Sequence, residues 1–334
     1  MTTRKIKSKT SQLTEISAVR TGAPLSMSGL LDLGMIWVLL ALVAAASFFY
    51  DGFLSINNLR NVLSQNAPVA IAALGMTFVI IARGFDLSVG AIFGIGAVVY
   101  AGLARYGLPL PLAACATIAI GMAAGASNGM IVTLLRVNPF VATLGTASVF
   151  GGVAVLISGS APVIVSERAF QSLGSDSFAG VPYSVLLLLL AFIVGTLVLQ
   201  YTVYGRALFA VGGNDEASHL AGLPVKFLRI STYVISGVCG AVGGIIVSSR
   251  LGVGQADMGS TVALDAIAIV VIGGTSLFGG EGALWRTAVG AMILAVLNNL
   301  FDSMAISSSW QEIVKGGIII FAVAIDVFAR TRRT

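Results

Sequence analysis

Apolar residues in this chain fall in long unbroken runs, and polar residues are gathered between them. The runs lack the alternation of period two that a half-buried strand shows, so they predict helices. Most approach the ~20 residues that carry a helix across a hydrocarbon core. Ten candidate spans follow, at roughly 34–50, 67–82, 89–104, 110–132, 139–158, 184–201, 228–249, 262–279, 284–301 and 310–328. The second, third and eighth are short and Gly-rich, and are expected to be tilted, broken or partly re-entrant. One interruption differs from the rest. Tyr204–Lys226 reads Y-G-R-A-L-F-A-V-G-G-N-D-E-A-S-H-L-A-G-L-P-V-K, between the Leu186–Leu190 run and an apolar stretch from Leu228 to Ser249. A chain this apolar is expected to keep a structured polar loop only for a use, and the loop is read as a docking surface for a cytoplasmic partner.

Composition strengthens the membrane reading. Hydrophobic residues make up 57% of the chain and charged residues 10%, against about 25% charged in a soluble domain. No soluble fold of 334 residues hides that much apolar surface. Lipid cannot satisfy backbone polar groups, which leaves helices or closed barrels, and the continuous runs select an all-α membrane protein. Charge then sets the topology. Arg4, Lys5, Lys7, Lys9 and Arg20 precede the first span, and Arg330, Arg332 and Arg333 follow the last. With both ends in the cytoplasm, Arg83, Arg136, Arg206, Lys226, Arg229 and Arg286 are also inside; only Arg60, Arg105, Arg168 and Arg250 fall in outer loops. This is the bias of the positive-inside rule. The expected layout is a cytoplasmic tail at 1–33, a transmembrane domain at 34–329 with the docking loop at 204–227, and a cytoplasmic tail at 330–334. The basic residues sit at membrane edges, so nucleic acid is not an expected partner, whereas membrane lipid is.

Small residues recur inside the spans. Gly121-x-x-x-Gly125-x-x-x-Gly129, Gly90-x-x-x-Gly94 and Gly240-x-x-x-Gly244 allow close helix approach, read first as packing within the chain. The second and eighth spans both end in Gly-rich turns and are followed at once by another span, which suggests internal duplication. Asp51–Gln65 has the pattern of a short interfacial amphipathic helix. Ser160–Tyr183 is the largest outer loop, where an external partner would touch.

Candidate chemistry is sparse. The phosphate-loop pattern G-x-x-x-x-G-K-[S/T] is absent, so ATP hydrolysis is not expected of this chain. The one histidine, His219, lies in the polar island, and Cys115 and Cys239 are read as small packing residues; no metal site and no catalytic set can be assembled. Glu312 and Lys315 stand three apart and are expected to pair. Asp86 is read as a structural turn residue that accepts backbone N–H groups at the next helix start. Asn66, Asn128, Asn298 and Asn299 are the candidates for a translocation path, because amides donate and accept without a fixed charge, as a hydroxyl-rich solute requires. Hydrogen bonding between helices is the equally weighted alternative.

These residues resemble a family. Arg83–Gly90 (R-G-F-D-L-S-V-G) resembles its G-G-I-D-L-S-V-G element, and Val137–Thr146 its fifth-span entry. Gly205–Ser218 resembles its cytoplasmic loop, Leu264–Gly280 is the most specific match, and Trp310–Gly316 completes the set. The family is the ribose-type permease of bacterial ABC sugar importers. The resemblance implies a ten-helix type II importer fold in the bacterial inner membrane. It implies a cytoplasmic ABC ATPase that holds ATP and magnesium, with no cofactor in this chain. It further implies an extracytoplasmic sugar-binding protein and a second permease subunit, a homodimer first and a pair of related permeases second. The polar island becomes the coupling helix, with Asn214, Asp215, Glu216, Ala217, Ser218, Ala221 and Gly222 meeting the ATPase. Two positions depart from the pattern: Arg83 stands where Gly is usual, and Glu281 where a basic or small residue is frequent. The rival reading is a secondary carrier driven by an ion gradient, but the carboxylates such a carrier needs inside the membrane are scarce here.

Overall fold

Residues 27–331 are described by a computed structural model. In chain order the helices are α1 (Met27–Phe49), α2 (Ile56–Ile81), α3 (Val89–Arg105), α4 (Leu110–Leu134), α5 (Pro139–Ser158), α6 (Arg168–Ser175) and α7 (Tyr183–Tyr201). There follow α8 (Val203–Gly213), α9 (Asp215–Leu220), α10 (Val225–Leu251), α11 (Val262–Ile272), α12 (Leu284–Ser303) and α13 (Ser308–Thr331). Four two-residue strands lie between them. β1 (Val163–Ile164) pairs antiparallel with β4 (Val253–Gly254), and β2 (Ser177–Phe178) with β3 (Val181–Pro182). Each predicted apolar stretch overlaps a helix. Among the described residues α2, α4, α5, α7, α10 and α12 are long and apolar enough to cross a membrane, with Gly34–Phe49 and α3 as shorter apolar helices. The basic residues expected in the tails at positions 4–20, 332 and 333 lie outside the described residues.

Three boundaries differ from expectation. α1 begins at Met27, within the stretch read as tail. The amphipathic stretch before the second span is not a separate interfacial helix: it forms the first turns of α2, which runs through Pro68 without a break. Proline is tolerated inside membrane helices where neighbours re-satisfy the freed carbonyl. Ser55 starts α2, its Oγ accepting from the Asn58 N–H at 3.3 Å. The eighth span stops early, at Ile272, because Gly273 and Gly274 end α11. A helix of 11 residues covers about half the hydrocarbon thickness.

The core sits where α10 meets α2, α3 and α4. Its approach to α4 depends on glycine: a Cβ on Gly121 would stand 2.6 Å from the Gly237 carbonyl oxygen, and one on Gly125 would strike the Tyr233 carbonyl. The glycine repeats therefore pack within the chain. Cys239 is buried there, whereas Cys115 is exposed on α4, so it is not the packing residue expected. The loop before α7 is folded down as a cap on one end of the bundle. Phe170 of α6 stacks on Tyr100 with ring centroids 4.9 Å apart, and Ser249 Oγ donates to the Phe170 carbonyl at 2.6 Å. The opposite end carries α8, α9 and the α2–α3, α4–α5 and α11–α12 turns. Lys315 does not pair with Glu312; its Nζ lies 3.4 Å from Asp265 Oδ1, tying α13 to α11. A largely buried carboxylate on a neighbouring helix outcompetes an exposed one on the same helix, because the attraction strengthens as water is excluded.

Candidate functional site

The polar island folds as two helices. Thr202 opens α8 by accepting from the Gly205 N–H at 3.2 Å, and Leu208 and Val211 bury its inner side. Asn214 then turns extended (φ −151°, ψ 106°), which stops α8, and its Oδ1 accepts from the Ala217 N–H at 3.0 Å, which starts α9. Asp215 and Glu216 occupy the first turn of α9, where the helix dipole favours negative charge. The far end closes with equal economy. Gly222 adopts φ +81°, its N–H reaches the His219 carbonyl at 3.0 Å, and the Leu223 N–H reaches the Ser218 carbonyl at 3.0 Å. Pro224 follows and α10 begins. Tyr204 and Ser231 share a hydroxyl–hydroxyl bond of 2.7 Å that fastens α8 to α10, and Asp215 Oδ2 lies 3.1 Å from the Arg229 guanidinium.

The residues predicted for docking therefore divide by role. Asn214 and Gly222 form the caps, Ser218 is buried, and Asp215 is engaged with Arg229. Glu216, Ala217 and Ala221 face outward, as does His219. Two outward residues escaped sequence reasoning: Leu220 is 83% exposed and Phe227 65%. The available signal was Leu220 between His219 and Ala221, too short a pattern to separate from a core position. Beside α9 lies a cleft of about 1170 Å³ that also reaches Arg83, Arg136 and Lys226. Arg83 adopts φ 64°, a conformation natural to the Gly usual in the resembling motif, and its Nε donates to the Phe278 carbonyl at 2.8 Å. The Gly280 N–H reaches the Ile81 carbonyl at 2.9 Å, so the two Gly-rich turns lie against each other.

The other candidates fall into two groups. Asn66, Asn298 and Asn299 come together between α2 and α12, joined by Asn58. Asn58 and Asn299 exchange amide bonds of 3.1 and 3.0 Å, and Asn298 Nδ2 donates to Asn66 Oδ1 at 3.3 Å. Asn128 lies apart on α4, donating to Ser88 Oγ at 2.5 Å. Asp86 accepts from the Ser88 N–H at 3.0 Å at the entrance to α3, and reaches beyond the turn to Ser236 of α10. Among the described residues no group of His, Cys, Asp and Glu could hold a metal ion.

Residues 58–323 match the family described as the permease component of branched-chain amino acid transport systems. The chain is 36% identical over 299 residues to the ribose import permease of Haemophilus influenzae, covering 88% of this chain and 93% of the relative. It is 39% identical over 292 residues to the ribose import permease of Escherichia coli K12, covering 86% and 91%. It is 32% identical over 386 aligned positions to the xylose transport system permease of the same organism, covering 95% and 98%. No solved structure matches the chain. A chain that matches the family over most of its length, and spans nearly the whole of these relatives, belongs to the permease-component family of branched-chain amino acid transport systems.

Proposed function

We propose that this chain is the membrane permease subunit of an ATP-driven importer of a monosaccharide, a ribose-like pentose, a hexose or a related polyol. The observation that carries the reading is α9, which is capped at both ends within residues 214–223 and which turns Glu216, Leu220 and Ala221 outward at the start of α10. Such a helix offers a surface without spending its own fold on it. The sugar class is supported by the relatives, which are ribose and xylose permeases. In this reading the chain crosses the inner membrane about ten times in the type II arrangement, with both termini cytoplasmic. A cytoplasmic ATPase with ATP and magnesium holds α9, an extracytoplasmic binding protein delivers sugar to the α6 end, and a second permease subunit, the same chain first, completes the pore. The basic residues support the orientation: Arg83, Arg136, Arg206, Lys226 and Arg229 all lie at the α9 end.

Gentle extraction from native membranes should bring down a P-loop ATPase in fixed ratio, and vesicles holding that complex with its receptor should accumulate D-ribose or D-xylose only with ATP. Purification of the chain alone, with uptake that collapses with the proton gradient, would favour the ion-driven carrier. Leu220→Asp should reduce the co-purified ATPase by about tenfold, as loss of a central apolar anchor does. Glu216→Lys should uncouple uptake from ATP hydrolysis while the purified chain keeps its melting temperature. Asp215→Lys is a less clean test, because it also breaks the contact with Arg229.

A further inference from the structure

The α2–α3 turn joins three helices through one carboxylate. Asp86 is fully buried, and among the described residues it has no ion-pair partner. Its Oδ1 accepts from the Ser88 N–H at 3.0 Å and Ser88 Oγ at 2.6 Å; its Oδ2 accepts from Ser236 Oγ of α10 at 2.7 Å. Asn128 of α4 supports Ser88, and Tyr233, just before Ser236 on α10, donates to the Phe85 carbonyl at 3.3 Å. On its other side the turn grips α5: the Leu87 N–H donates to Thr143 Oγ1 at 3.1 Å. Thr143 is one of three buried residues of α5 and ties its first turns to the α2–α3 turn, while Phe150 and Ala154 further along pack on α3.

The coupling helix α9 is joined to this turn through α10 and, on its other side, through α8, whose Gly212 lies against the Ile81 carbonyl. A displacement of α9 moves the first turns of α10, where Tyr233 and Ser236 lie. Whether that movement continues into α5 depends on how stiffly residues 85–88 follow α10. Both carboxyl oxygens of Asp86 are held by hydrogen bonds, one side on Ser88 and the other on Ser236, and a buried polar group keeps such partners because losing them is costly. A turn that needed only local closure has no use for the reach to Ser236.

We propose that Asp86 is a positioning residue for coupling: it clamps the α2–α3 turn to α10, so that movement of α9 passes through residues 85–88 to Thr143 and α5. The inference rests on the importer reading above. It is tested in vesicles holding the permease, its ATPase and its receptor, with uptake of D-ribose or D-xylose, whichever the wild type accumulates, measured beside ATP hydrolysis. Asp86→Ala should lower sugar moved per ATP by about tenfold, with basal hydrolysis per assembled complex retained. Asp86→Asn should recover most of that ratio, since its carbonyl can serve Ser88 and its amide can donate to Ser236 Oγ. An Asp86→Ala complex with the wild-type ratio would overturn the proposal, and so would an Asp86→Asn complex as impaired as Asp86→Ala. If Asp86→Ala does not assemble, Ser236→Ala decides, because it removes only the side of the clamp on α10: about a threefold loss supports the proposal and an unchanged ratio overturns it. A wild-type complex without ATP-dependent uptake would count against the importer reading instead.

Discussion

Gly212→Ala should abolish uptake, while Gly213→Ala, one residue further on, should leave it near wild type. A Cβ on Gly212 would strike the Ile81 carbonyl oxygen and stand 2.6 Å from the Gly280 nitrogen, both backbone atoms that cannot rotate away. Those two atoms are also partners in the hydrogen bond that joins the end of α2 to the α11–α12 turn. The added methyl must therefore break that bond or lift α8 off the bundle. Overpacking costs about 1–3 kcal/mol, and a buried donor left unsatisfied about as much again. The displaced helix is the one that leads into α9. Gly213 has open space where its Cβ would be, and Ala favours a helix over Gly by about 1 kcal/mol. Folded yield by size exclusion in detergent, followed by uptake in vesicles, separates the two variants. Equal behaviour would show that α8 does not rest on the junction as described.

The second large effect is expected at the ion pair between α11 and α13. Asp265 and Lys315 side chains are 13% and 18% exposed, so removal of one partner strands the other away from water. Lys315→Met should destabilise the purified protein by about 3–5 kcal/mol, as breaking a buried pair does. The double variant Asp265→Leu with Lys315→Met should recover much of the loss, since an apolar replacement of both charges is often neutral. Melting temperature in one detergent gives the comparison. A double variant no better than Lys315→Met would mean that the carboxylate holds something besides Lys315.

Hydropathy made the helical stretches legible, because lipid-facing and core-facing positions are both apolar and the runs are long. It placed their ends less well. Pro68 and the polar residues before it read as a boundary, yet α2 passes through, since neighbouring helices decide whether a proline breaks a membrane helix. Leu277 and Phe278 extend an apolar run past Gly273, yet the backbone has already turned. Within the polar island, Asn214 and Gly222 were legible as members of the loop, through the resemblance, but not as the caps of α9 that the fold makes them. The outward placement of Leu220 and Phe227 was not legible, since exposure is a property of the folded surface. The Lys315 partner was missed for a related reason: spacing along one helix shows Glu312, and only packing brings Asp265 close.

The way α9 closes on itself has a consequence for how this protein can diversify. Asn214, Ser218, Gly222 and Leu223 build the helix from inside, leaving Glu216, Ala217, Leu220 and Ala221 without a part in its formation beyond their backbones. Changes at those four positions alter what the helix shows without altering whether it forms. Descendants of one such gene could thus drift apart in their choice of energising subunit by a handful of surface exchanges, and a hybrid transporter could be built by transplanting those side chains alone.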